Sequence, residues 1–236
     1  MGDRMDIALV GVPKSGTSML CNALTIPGEA VVLYEPWADF DSPFVRRQAE
    51  SLGYDGPDIL AWARSHPRWG VKEVKAHNIR AALERDPGIL LLLLRNLGHS
   101  ALSMFETQRR LGVPWEVRRG WMEESARLIV QLSREWPADR LVVCRYEQLV
   151  GDPGYREELR RRIGWPSLDG DVGRGLAEWL ERPHEAERHG GAITDRSVRS
   201  RAAEADPEAL AAAAEVARAC ASFNEEFGYE VSGDQG

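Results

Sequence analysis

The sequence is short of long apolar runs, of paired cysteines and of positive charge. Its longest apolar run, Ile89–Leu94, is far below the roughly 20 residues a helix needs to cross a bilayer. Asp3, Arg4 and Asp6 interrupt the first residues, so the apolar stretch 7–12 reads as a strand and not as a secretory leader. Cysteine is limited to Cys21, Cys144 and Cys220, odd in number and with no Cys-x-x-Cys spacing. Neither a zinc site nor a disulfide framework is indicated, and a reduced, cytoplasmic setting without a membrane is expected. The net charge of −7 argues against a nucleic-acid groove. An anionic ligand would have to be held by local cations, not by the overall field. There is no internal repeat, and the alanine tract 209–214 is helix filler.

What remains is a chain of 236 residues, 43% hydrophobic, of a size that predicts one domain over 1–236. Strands are predicted at 6–12, 30–35, 70–75, 89–95 and 140–146. Helices are predicted at 17–25, 43–53, 57–66, 78–86, 98–111, 116–136, 154–164, 171–181 and 206–227. The last is the clearest, with Asp206 as cap, Pro207 opening it and Gly228 closing it. Alternation of this kind argues for an α/β fold of three layers, a parallel sheet between two sets of helices. The leucine run 90–94 fits a central strand buried on both faces.

The richest segment is 7–20. An apolar strand meets a turn built on Gly11, Pro13 and Gly16, and a helical pattern starts at Thr17. The first N–H groups of a helix have no internal partner and the helix dipole favours an anion there, so strand–glycine turn–helix is a phosphate-binding arrangement. A nucleotide P-loop has lysine directly after its second glycine, then a Ser or Thr for Mg²⁺. Here Thr17 and Ser18 follow Gly16, and the lysine, Lys14, lies inside the loop. That placement suits a metal-free site in which the ammonium neutralises the anion.

The string Pro13-Lys14-Ser15-Gly16-Thr17-Ser18 resembles the 5′-phosphosulfate loop of sulfotransferases that use 3′-phosphoadenosine 5′-phosphosulfate (PAPS). Arg95-Asn96-Leu97-Gly98-His99-Ser100-Ala101-Leu102-Ser103 resembles that family's second segment, in which an Arg at a strand end and a Ser on the next helix hold the 3′-phosphate. Arg145-Tyr146-Glu147-Gln148-Leu149-Val150-Gly151-Asp152-Pro153 resembles its strand ending in Tyr-Glu-Asp-Leu, with Asp-Pro after it. The resemblance implies a P-loop-like sulfotransferase fold and a metal-independent, in-line transfer of a sulfuryl group from PAPS to a hydroxyl of a small molecule or sugar. It implies donor contacts from Lys14, Ser15, Gly16, Thr17, Ser18, Arg95 and Ser103, and an adenine contact from Tyr146. Met19 stands where the cytosolic branch has a tryptophan against adenine; its sulfur can still pack on the ring. In the basic stretch 183–203, Arg188 and Gly190 resemble a late Arg-x-Gly lid over the 3′-phosphate.

Three residues compete for the acceptor's proton. Lys75-Ala76-His77 follows the 70–75 strand and resembles a Lys-x-His element in which His is the base and Lys contacts the transferred group. His77 is favoured narrowly, because its ordinary pKa lies near working pH. Glu35, in Leu33-Tyr34-Glu35-Pro36-Trp37, resembles a Glu-Pro element of carbohydrate sulfotransferases; Pro36 is expected to keep it extended. A salt bridge from Glu35 to Arg46 or Arg47 is its structural alternative. Lys72 is the third candidate. Trp37, Trp115 and Trp121 lie on segments that could wall an acceptor pocket. Two other functions compete with this one: a nucleotide kinase or NTPase, which Thr17 in the P-loop lysine's place speaks against, and a nucleotide-binding relative without catalysis.

Overall fold

The computed structural model describes residues 4–168 and 205–229. The predicted helix 171–181 and the basic stretch with Arg188 and Gly190 lie outside them. Five strands form one sheet: β1 (Ile7–Gly11), β2 (Ala30–Tyr34), β3 (Arg68–Glu73), β4 (Ile89–Leu94) and β5 (Leu141–Arg145). All neighbours are parallel, in the order β2-β3-β1-β4-β5. The register pairs Leu9 with Lys72 and Leu91, which places β1 in the middle.

Helices cover both faces. On one lie α1 (Thr17–Leu24), α7 (Tyr146–Gly151) and α8 (Pro153–Ile163), packed over Leu9, Val32, Leu91 and Leu93. On the other lie α2 (Pro43–Ser51), α3 (Ile59–Arg64), α4 (Ala76–Leu83), α5 (Leu97–Leu111), α6 (Trp115–Glu135), α9 (Pro207–Ala219) and α10 (Ala221–Phe227), packed over Val10, Leu33, Val71 and Leu92. Successive strand side chains point to opposite faces, so the continuous run in β4 feeds both cores at once. The three-layer α/β architecture is the predicted one. No helix among the described residues is long and apolar enough to cross a membrane.

Several boundaries differ. The third strand spans 68–73, two residues earlier than expected, because Arg68 and Trp69 are tied to Asp6. Consequently α4 starts at Ala76 and takes in His77. The final helix is two: it breaks at Cys220, where the Asn224 amide donates to the Ala217 carbonyl at 3.2 Å and closes the first segment. Asp206 does cap α9, accepting from the Ala209 N–H at 2.9 Å.

Candidate active site

In a parallel sheet, ligands bind beyond the carboxyl ends of the strands where the chain direction diverges. Here that place lies between β1, whose chain leaves towards β2, and β4, whose chain leaves towards β5. The two loops that meet there are the glycine turn 11–16 and the Arg95-Asn96 turn.

The glycine turn is tight. The Ser15 N–H donates to the Val12 carbonyl at 3.0 Å, and Lys14 is in the left-handed region at φ 69°. A Cβ on Gly11 would sit 2.5 Å from the Ser15 Oγ and 2.9 Å from the Leu93 carbonyl. Gly16, at φ 100°, is the N-cap of α1 and passes so close to the Tyr146 ring that a Cβ would lie 2.6 Å from it. As the N-cap is a glycine, no side chain caps α1. The buried Ser15 hydroxyl has no hydrogen-bond partner among the described residues. A helix start without a side-chain cap, an unsatisfied buried hydroxyl and a lysine in the loop fit a bound phosphate group. Ser18 is turned elsewhere: its hydroxyl is 2.8 Å from that of Tyr34. Met19 is 2% exposed within the core under α1, so it offers no open face to an adenine ring.

Arg95 directly follows β4, which ends at Leu94, and it is 6% exposed. It donates from Nη1 to the Lys14 carbonyl at 3.0 Å, and its guanidinium lies 4.4 Å from the centroid of the Tyr146 ring. It thus braces the glycine turn from the β4 side, while its Nε has no partner among the described residues. Tyr146 begins α7 instead of ending a strand, because Arg145 is already the helix N-cap. Its ring, 2% exposed, is the floor beneath Gly16 and Arg95. Ser103 lies on α5 and is buried. Asn96 caps α5, accepting from the His99 N–H at 3.2 Å, and its own N–H reaches Glu147 at 3.1 Å.

A second cluster surrounds the end of β3. Lys72, 1% exposed, forms an ion pair with Glu35, and its Nζ lies 4.1 Å from the centroid of the Tyr34 ring. Through the Tyr34 hydroxyl the pair is linked to Ser18 in the first turn of α1. Burial pushes the Lys72 ammonium down, but the Glu35 carboxylate outweighs it and holds the lysine above its usual range. Glu35 is not extended: its φ is 44° despite Pro36. Its N–H donates to the Lys72 carbonyl at 2.9 Å, and the ion pair adds to that, which overrides the local preference. Arg46 pairs with Asp41 at 2.9 Å and not with Glu35.

Glu73 was not foreseen. It is 2% exposed, and its Oε1 accepts from the Trp37 N–H at 2.9 Å. Burial, and then the nearby Glu35 carboxylate, push its carboxyl up from 4.5 to about 8. Lys72 and Glu73 are consecutive, so they leave the strand on opposite faces, yet both hold the turn that follows β2. That turn contains three non-glycine residues in the left-handed region, Glu35, Trp37 and Phe40. Such conformations cost of order 1–3 kcal/mol each and persist only where surroundings impose them.

The Lys-x-His element is arranged differently from expectation. The Lys75 Nζ lies 4.3 Å from the centroid of the Trp121 ring. His77 is exposed on the first turn of α4, with no hydrogen bond or ion pair among the described residues. Trp37 is exposed beside Glu35, whereas Trp115 packs edge-on against Phe105. The three cysteines are free and buried, and burial raises Cys21 and Cys144 to about 12 and Cys220 to about 11, so none is a ready nucleophile.

No protein-family model and no curated protein matches the sequence. Solved structures do match. The sulfotransferase domain of the Synechococcus olefin synthase aligns over 96% of this chain and 95% of its own, with TM-score 0.63 and 16% identity. The sulfotransferase domain of the curacin biosynthetic pathway aligns over 96% and 98%, with TM-score 0.58 and 14% identity. Mouse sulfotransferase SULT7A1, solved with PAP, aligns over 98% and 90%, with TM-score 0.53 and 12% identity. The chain therefore has the sulfotransferase fold.

Proposed function

We propose that this chain is a sulfotransferase that moves a sulfuryl group from PAPS to a hydroxyl of a small-molecule or sugar acceptor without a metal ion. The observation that carries this reading is the glycine turn. It joins a helix start without a side-chain cap, an unsatisfied Ser15 hydroxyl and an internal lysine, and a strand-end arginine braces it from the neighbouring loop. The PAP-bound relative of the same fold supports the donor assignment.

Sulfuryl transfer makes the same demands as phosphoryl transfer: the two oxygens must be in line, and charge on the leaving phosphate must be neutralised. The N–H groups of the turn and of Thr17 and Ser18 hold the 5′-phosphate. Lys14 neutralises it as the bond to sulfur breaks. Arg95 and Ser103 hold the 3′-phosphate. Geometry reorders the candidate bases. Lys72 is held charged and cannot accept a proton, so it serves as the electrostatic partner of the base. Glu35 is linked to the start of α1 through Lys72, Tyr34 and Ser18. Among the described residues no such link joins exposed His77 to the turn, which supports Glu35 over His77 as the base.

The direct test is thermal stability. PAP at 100 times its dissociation constant should stabilise the protein by about 2.7 kcal/mol, with EDTA present or absent. Equal stabilisation by ATP with Mg²⁺, and none by PAP, would instead support the kinase reading. Transfer of labelled sulfate from PAPS to a panel of hydroxylated acceptors then separates an enzyme from a binding relative. Lys14→Ala should lower turnover more than it weakens PAP, because its contact strengthens as charge develops. Unchanged turnover with a raised donor KM would contradict that role.

A further inference from the structure

The mechanism above uses Glu35 and Lys72 but leaves their buried neighbour without a task. We propose that Glu73 is a positioning residue, holding through its carboxyl the Trp37 N–H and with it the strained turn that presents Glu35 to the acceptor. The proposal rests on the reading of Glu35 as the base.

The turn does not hold its shape by local preference. Glu35 at φ 44° precedes a proline, and Trp37 and Phe40 follow at 62° and 61°, with no glycine among them. Contacts from outside the turn must impose this. Glu35 is held by the Lys72 carbonyl and ammonium, and the far side of the turn by Arg85, which donates to the Ala38 carbonyl at 3.2 Å and stacks on Phe40. Between them, among the described residues, the Trp37 N–H is held by Glu73 and the Trp37 carbonyl by the Phe40 N–H. Trp37 itself is one of the few large apolar side chains left exposed among the described residues. The same bond therefore fixes the base and the indole two residues after it.

The groups around Glu73 explain how it can sit there. The charged groups facing it are Glu35 from the turn and Lys72 from its own strand, and α4 contributes the Asn78 amide. A second full negative charge beside Glu35 would compete for Lys72. Burial and Glu35 keep the proton on Glu73 at neutral pH, so Lys72 remains with the base. Oε1 serves Trp37, and the Asn78 amide lies beside the carboxyl.

Glu73→Gln and Glu73→Leu separate the held turn from everything else. Gln keeps a neutral acceptor for the Trp37 N–H; Leu removes it. Amide exchange across 35–41, followed by mass spectrometry, should be at least about tenfold faster in E73L and unchanged in E73Q. Turnover should fall by roughly 10–100-fold in E73L, with stabilisation by PAP intact, and return to within a few-fold of wild type in E73Q. If E73L does not fold, E73D, which withdraws the carboxyl by one methylene, should show the same faster exchange. Melting gives an independent readout. Between pH 4.5 and about 8 the unfolded chain has lost this proton and the folded protein has kept it, so stability falls as pH rises through that window and is level above it. E73Q, with no proton to lose, should melt several degrees above wild type at pH 8 and level with it at pH 5. Unchanged exchange in E73L, or an E73Q as slow in turnover as E73L, would overturn the proposal. If wild type transfers no sulfate at all, the exchange result still decides the role of Glu73, and the reading of function fails separately.

Discussion

Glu35→Gln should reduce sulfuryl transfer by roughly 10²–10⁴-fold, the usual worth of a general base. Stabilisation by PAP should persist, since the proton Glu35 takes belongs to the acceptor. The variant carries a second, separable effect. Lys72 is 1% exposed and Glu35 is its counter-ion. Removing one partner of a buried pair strands the other charge, at a cost of about 3–5 kcal/mol. E35Q alone should therefore also melt earlier. Adding Lys72→Met removes the stranded charge, so the double variant should recover much of the lost stability while remaining inactive. Activity that returned along with stability would show that Glu35 matters for folding and not for proton transfer. His77→Ala should cost less than about tenfold. A dead H77A beside an active E35Q would restore His77 as the base.

Arg95→Ala is expected to weaken PAP by about 2–4 kcal/mol, or roughly 30–1000-fold. On the proposed reading this side chain has two tasks. It braces the glycine turn through the Lys14 carbonyl, a contact that serves any ligand bound at the turn. Its Nε, without a partner among the described residues, is the part proposed to meet the 3′-phosphate. Adenosine 5′-phosphosulfate lacks that phosphate, so it should feel only the loss of the brace. Calorimetry with both ligands separates the two tasks. A larger loss for PAP supports recognition of the 3′-phosphate, and equal losses would reduce Arg95 to a strut.

The sequence displays these features unevenly. Gly11, Lys14, Gly16 and the leucine run of β4 are legible because each acts through local backbone geometry or continuous burial, and neither needs a distant partner. Asp206 is legible as a cap for the same reason. The Lys72–Glu35 pair joins residues far apart in sequence, and only the β2–β3 register brings them together. The left-handed Glu35 runs against the rule for residues before proline, and the contacts that overrule it come from β3. Glu73 reads in sequence as one more charged residue at a strand end; its burial under the turn is a property of packing. Met19 and Tyr146 show the converse. A motif position marks them as ligand contacts, and the fold buries both.

The central place of β1 has a consequence for how the protein is made. Its partners on either side are residues 70–73 of β3 and 89–93 of β4. During synthesis β1 leaves the ribosome with neither neighbour yet translated. At 5–20 residues per second, roughly 4–16 s pass before β4 is complete. Until β3 is made the strand Ile7–Gly11, apolar throughout, has both edges unpaired, and until β4 is made it has one. A nascent-chain chaperone should thus engage this strand during synthesis, and stalling translation before residue 90 should leave a product that aggregates more than the full chain.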